Sequence, residues 1–167
     1  MALKQIEAAE IPLVAGWLSE PRNYQWLDFG RGVQRIEPVA LRIMLQRDIH
    51  LLRTFTLDGD DSRPVGIVGL SDINRNFGTA TLWAVLGEKQ YGRLGLTTPA
   101  VRDLLSIAFH ELGLAAVNAW TLEHNRRAQR ILDQLNFRLF GRQRSCHVVD
   151  GRRYDRLWYD LLAEEYS

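Results

Sequence analysis

The stretch "QYGRLGLTTPA", Gln90 to Ala100, sets Gly92, Arg93, Gly95, Thr97 and Thr98 directly ahead of Pro99, after which the apolar residues take helical spacing. A helix start leaves N–H groups unpaired, and the helix dipole favours negative charge there. Glycines let backbone approach a ligand closely, so a phosphate is the natural guest. A plainer reading stands beside it: Gly92 and Gly95 shape a turn, and Thr97 or Thr98 caps the helix that Pro99 begins. Residue type excludes two familiar phosphate motifs. The Gly-Lys-Ser/Thr ending of a P-loop is absent, and G-R-L-G-L-T does not match G-x-G-x-x-G.

Two further groups could do chemistry. In "SEPRNYQWLDFGRG", Tyr24, Trp26, Asp28 and Phe29 mix aromatic and acidic side chains in a way that suits an ammonium, or equally a lid packed on the core. Asp72, in the turn-like "SDINRN", reads as turn chemistry or as a free acid.

The elements that must position these groups follow from periodicity. Leu3 to Glu7 reads as a short strand; helices are expected from Pro12, with Ile11, Val14 and Leu18 on one side, and from Pro38, with Leu41, Met44 and Leu45. "HLLRTFTL", "DGDD" and "RPVGIVGL" read as strand, hairpin turn and strand, and "NFGTATLWAVLG" as the next strand of a meander. The stripe Val101, Leu104, Leu105, Ala108 and Leu112 marks a helix closed by Gly113. "LAAVNAWTL" then has the length of a buried strand, and a helix opens at Asn125 with Ala128, Ile131, Leu132 and Leu135 inward. Strands at Arg138 to Val149 and Arg153 to Leu161, joined by Asp150-Gly151, complete a mixed sheet with a strand–helix–strand crossover.

Composition narrows the function classes. At 167 residues and 46% hydrophobic, the chain suits one compact domain with a real core. A net charge of +1, from 21 basic and 20 acidic residues, offers no field for wholesale nucleic-acid or membrane binding. Cys146 is the lone cysteine, which excludes an internal disulfide and multi-thiolate metal sites and agrees with a reducing cytosol. The start "MALKQIEAAE" is charged too early for a signal peptide, and no apolar run reaches spanning length. A cytoplasmic protein without a metal is the expectation.

The glycine loop, "TLEHNRRAQRILDQLNF" and the closing "FRLFGRQRSCHVVDGRRYDRLWYDLLAEEY" together resemble, in order, three segments of the GNAT superfamily of N-acetyltransferases. The nearest branch includes the ribosomal-protein alanine N-acetyltransferases. The resemblance runs well from Val65 to Tyr166, and over the N-terminal third by element order alone. It implies a single α+β domain over residues 1–167: a mixed, mostly antiparallel sheet of six to seven strands, flanked by about four helices, with splayed central parallel strands at Thr81 to Gly87 and Ala115 to Thr121. It implies acetyl-coenzyme A as acyl donor, its pyrophosphate on the backbone of Arg93, Leu94, Gly95, Leu96, Thr97 and Thr98. The acyl end would lie near the N–H groups of Val85 and Leu86, with Asn125 capping its helix and reaching donor or acceptor.

The implied reaction is direct attack of a primary amine on the thioester in a ternary complex. The acceptor favoured is a small amine such as an amino sugar. A protein N-terminus is the alternative, as is a non-catalytic coenzyme A-binding module. Tyr24, Trp26 and Asp72 are the expected acceptor contacts, and a homodimer is compatible with the family. The sequence departs from the family pattern at Gly92 and Thr97 in the loop. Leu132 stands where many members carry a tyrosine acid, and Thr81 where some carry a glutamate base. Glu123 and His124, beside Asn125, are therefore the first candidates to relay the amine proton.

Overall fold

Alternating and helical patterns divide the chain into twelve main elements, seen in a computed structural model that describes residues 1–167 apart from the side chain of Asp61. In order these are β1 (Leu3–Lys4), α1 (Ile11–Leu18), α2 (Pro21–Tyr24), α3 (Pro38–Gln46), β2 (Leu51–Leu57), β3 (Asp60–Asn74), β4 (Thr79–Leu86), α4 (Thr97–Ser106), β5 (Ala116–Leu122), α5 (Arg126–Gln134), β6 (Arg138–Val149) and β7 (Arg152–Leu162). Pro12, Pro21 and Pro38 all lie in first turns, where a missing N–H costs no helical hydrogen bond. α2 is a single turn that the sequence reading treats as loop. α4 runs on into a π-helical turn, Ile107–Glu111, before Gly113 takes a left-handed φ of 64°.

Among the described residues the sheet has seven strands, ordered β1-β2-β3-β4-β5-β7-β6. Both hairpins foreseen from Asp-Gly pairs form two-residue turns: Leu57 pairs with Asp60, and Val149 with Arg152. Asp150 and Gly151 both have positive φ, 49° and 75°, the geometry that matches the twist of flanking strands. Every strand pair is antiparallel except β4·β5.

That parallel pair is brief. Thr79, Ala80 and Thr81 meet Ala116, Val117 and Asn118, and pairing then stops. β4 continues against β3 as far as Leu86, and β5 against β7 as far as Leu122. The two strands therefore separate into a fork that opens beyond Thr81.

The faces of the sheet bury different helices. Cross-strand partners Ile67 and Val85 pack with α1 and α3, through Val14, Trp17, Leu18 and Leu41. Val68 and Leu86 turn to the other face, against Val101, Leu104 and Leu105 of α4 and Leu132 of α5. Helix layers on both faces hold the fork open at one end and fixed at the other. Among the described residues no helix is long and apolar enough to cross a membrane.

Candidate functional site

The fork is the inner wall of a cleft of about 390 Å³. Leu82 to Leu86 form one side and Ala119, Trp120 and Thr121 the other, with Thr97 and Val101 of α4 and Asn125 of α5 at the open end. Gly87 N–H donates to Val65 C=O (2.9 Å), which sets the alternation of the β3·β4 ladder. By that alternation Val85 N–H faces Ile67, while those of Ala84 and Leu86 face the gap. The expectation for Val85 is thus corrected: its side chain lines the cleft, and Ala84 supplies the second N–H beside Leu86.

At the open end lies a row of free donors. The N–H groups of Arg93, Gly95, Leu96, Thr97 and Thr98 have no acceptor among the described residues, whereas Leu94 N–H is engaged by Tyr91 C=O at 3.0 Å. Leu94 therefore drops out of the expected cradle as a donor. Gly95 sustains the turn with a φ of 67°, and nothing lies within 4 Å of where its side chain would be. The threonines do not cap: Leu96 occupies the cap position, and Thr98 Oγ1 donates to Gln134 Oε1 instead (3.2 Å). Amides at a helix start that no side chain fills are the arrangement that suits an anion.

Two cations line the cleft wall at the same end: Arg127, within "TLEHNRRAQRILDQLNF", and Lys89, just ahead of the glycine loop. Arg127 Nη2 donates to Gly92 C=O at 2.8 Å, tying α5 to the loop. Lys89 is half-buried; burial first, then repulsion from Arg22 and Arg127, pulls its ammonium down to about 8. A cation in the first turn of a helix opposes the dipole, so Arg127 was a readable signal. Lys89 had none.

The opposite mouth is built by the segment from Asn23 to Gln34 and fastened to the last hairpin. His147 is buried; its Nε2 donates to Gln25 C=O (2.7 Å), and its Nδ1 accepts from Arg156 (2.9 Å). Gln34 Nε2 also reaches His147 (3.2 Å). Arg156 Nη2 holds Asp28 Oδ2 at 2.9 Å and lies over the Trp120 ring. Asn23, a residue of the cleft lining, donates through Nδ2 to Trp17 C=O (2.9 Å), and its buried Oδ1 has no partner among the described residues. Asp72 projects to the same cleft from a left-handed φ of 53°.

Residues 1–138 match the acetyltransferase (GNAT) domain family. The chain belongs to that family. Two proteins of Bacillus subtilis (strain 168) are similar in sequence. The one named Putative ribosomal N-acetyltransferase YdaF is 27% identical over 110 residues, covering 66% of this chain and 58% of that protein. Probable N-acetyltransferase YjcK is 30% identical over 91 residues, covering 54% and 50% respectively. The matched part of the chain spans 58% and 50% of the length of these relatives. In fold, the chain is similar to spermidine N-acetyltransferase from Vibrio cholerae, solved in complex with CoA and spermine: TM-score 0.86 at 15% identity, covering 99% of this chain and 96% of that one.

The GNAT fork thus gathers Val85, Leu86, Thr97, Asn125, Trp26 and Asp72 onto one cleft, together with Thr81 and Leu132. Asn125 is a cap in fact, its Oδ1 accepting Ala128 N–H at 3.2 Å. Tyr24 lies off the cleft wall. So do Glu123 and His124, for visible reasons. Glu123 Oε1 accepts Asp155 N–H (3.0 Å) and its Oε2 takes Arg142 (3.4 Å); His124 sits tilted between Trp26 and Tyr154, ring centroids 5.1 and 4.2 Å away. Both brace the corner between β5 and α5 and the mouth beside it. The sequence reading missed His50, Ser71 and Trp83, which line the cleft too. Among the described residues no group of three or more His, Cys, Asp or Glu side chains is placed to hold a metal ion.

Proposed function

We propose that the protein transfers an acetyl group from acetyl-coenzyme A to a small primary amine, by direct attack in a ternary complex. The observation that carries it is the fork beyond Thr81, opening onto amides that the chain itself leaves free. The N–H groups of Arg93, Gly95, Leu96, Thr97 and Thr98 would hold the diphosphate, with Lys89 and Arg127 supplying charge. Leu86 would pair an amide-bearing arm as an added strand, and Ala84, deeper in the fork and next to Trp83, would donate to the acyl oxygen. Bound there, the donor supplies an activated acyl group as a thioester, so that holding an amine against it provides much of the rate.

The fastened mouth supports a small acceptor over a protein N-terminus. A polypeptide needs an open groove between the segment around Trp26 and the last hairpin; Asp28–Arg156 and Gln25–His147 bridge that interval. Asp72 offers the ammonium a carboxylate, with Trp26, Phe29 and Trp83 as aromatic walls. A polyamine is the second reading. A hollow of about 410 Å³ shares Asp72 with the cleft and carries Asp48, a second carboxylate that a second ammonium could meet.

The test is release of free thiol from acetyl-coenzyme A across glucosamine, spermidine and an alanyl peptide. Turnover with glucosamine or spermidine and none with the peptide is expected. Tight donor binding with no thiol released by any amine would overturn catalysis in favour of a binding module, the reading that Thr81 and Leu132 on the wall would then explain.

A further inference from the structure

Ser71 Oγ sits between two partners on the cleft wall. Trp83 Nε1 lies 2.9 Å from it and His50 Nδ1 3.0 Å. An indole N–H can only donate, so one lone pair of the hydroxyl is taken by Trp83. In the tautomer with Nδ1 unprotonated, the hydroxyl proton goes to His50 Nδ1 and the other lone pair of Ser71 is left for the cleft. In that tautomer a basic imidazole nitrogen is coupled to a hydroxyl oxygen with one open acceptor site.

Its place in the fold gives it a use. Ser71 is the β3 partner of Thr81, the last residue of β4 that pairs with β5. The pair therefore stands where the fork closes, at the far end from the free amides of the α4 start. A donor gripped at the open end and laid along the gap points its acyl end toward Ser71. Asp72, the next residue, is turned to the same wall by its left-handed backbone.

Resting on the acetyl transfer reading, we propose that Ser71 and His50 form the relay that removes the proton from the acceptor amine. Ser71 Oγ accepts one proton of the ammonium as its own passes to His50 Nδ1. The freed nitrogen lone pair forms the bond to the acyl carbon, the carbon–sulfur bond breaks, and the sulfur leaves with that electron pair and takes the second nitrogen proton. His50 returns its proton to solvent, so one amine proton is released and one ends on the thiol.

The charges facing His50 are Asp72 on β3 and Arg47 in the turn after α3. Burial lowers the imidazole below its ordinary value, Asp72 opposes this and Arg47 adds to it. The net direction keeps His50 neutral at pH 7 and able to accept, while Asp72 steadies the imidazolium formed during transfer.

The experiment is kcat/KM against pH for the wild type, H50Q, H50A, S71A and the H50Q, S71A double variant, with acetyl-coenzyme A affinity measured for each. The wild type should lose activity on the acid side with a midpoint below the ordinary histidine value. H50Q and S71A should each fall about 100-fold, the scale of a lost general base. The double variant should fall no further, since the two act as a unit. Affinity for acetyl-coenzyme A should stay within threefold, and free imidazole should restore part of the rate to H50A. A wild type that is active while H50Q or S71A stays within threefold overturns the relay alone. A wild type silent with every amine overturns the transfer reading, and the relay with it. Should H50Q not fold, S71A and the wild-type acid limb decide the matter.

Discussion

Asp28 and Arg156, 128 residues apart in sequence, form an ion pair at 2.9 Å with side chains only 16% and 13% exposed. Burying two charges is costly, and the pair holds because its remaining hydrogen-bonding capacity is filled. Asp28 Oδ1 accepts the N–H groups of Gly30 (2.8 Å) and Gly32 (3.0 Å), while Arg156 also donates to His147 and covers Trp120. The mouth segment is thus held to the last hairpin by electrostatics, while Leu27 and Phe29 pack it on the core.

Removing one partner should therefore hurt more than removing both. Arg156→Met leaves a buried carboxylate without its cation, and a loss of about 3 kcal/mol in urea unfolding is expected. The combined Asp28→Leu, Arg156→Met change should recover at least half of that loss. Recovery of nothing would mean that Arg156 acts through Trp120 and His147, with Asp28 incidental.

The same pair sets an acid limit on stability. Burial works to raise Asp28, but the Arg156 hydrogen bond and the N–H groups of Gly30 and Gly32 outweigh it, so its folded value lies below the ordinary carboxylate value. A group depressed on folding contributes stability that is present above its unfolded value, near 4, and lost as pH falls through the folded value. Asp28→Asn should be less stable than the wild type at pH 6 and converge on it as pH falls below about 4. Parallel stability curves over pH 2 to 6 would refute the direction.

Donor binding should carry a proton signature from Lys89. With its ammonium near 8, about half of the Lys89 side chains are neutral at pH 8. A diphosphate beside Lys89 and Arg127 favours the charged form and raises that value, so binding takes up about half a proton at pH 8 and close to none at pH 6. Calorimetry in two buffers of different ionisation enthalpy measures this directly. Lys89→Met should abolish the uptake and weaken binding about tenfold, roughly one charge-assisted hydrogen bond.

How far the sequence announced this site depended on range. The Asp-Gly turns, the α4 stripe and the Asn125 cap are written in contiguous residues, and all are found as read. The fork was readable through family resemblance, because local pattern cannot say where two parallel strands stop pairing. The Ser71 contacts join β3 to Trp83 of β4 and to His50 just ahead of β2, across 12 and 21 residues, and the mouth lock spans more than 100. No period links such residues. Glu123 and His124 drew notice by lying next to Asn125, yet β5 directs them away from the cleft into contacts with Asp155, Arg142, Trp26 and Tyr154. The reading of Thr97 and Thr98 as caps failed because Thr98 is drawn to Gln134 on α5, a contact 36 residues distant.

That last difference yields a test of what grips the donor. If backbone amides do the holding, the threonine hydroxyl is dispensable and the loop's shape is not. Thr98→Val removes the bond to Gln134 while keeping the N–H, and should leave acetyl-coenzyme A affinity within threefold at a stability cost under about 1 kcal/mol, the worth of one exposed neutral hydrogen bond. Gly95→Ala meets no atom within 4 Å, so crowding is not its effect; it instead forces a side chain onto a φ of 67°. That conformation costs an alanine about 1 kcal/mol, enough for the turn to relax and swing the amides of Gly95 and Leu96 off their common target. Affinity should fall at least tenfold in Gly95→Ala, with unfolding free energy lowered by no more than about 1 kcal/mol. Equal affinities in the two variants would mean that Lys89 and Arg127 hold the anion and that the amides are solvated bystanders.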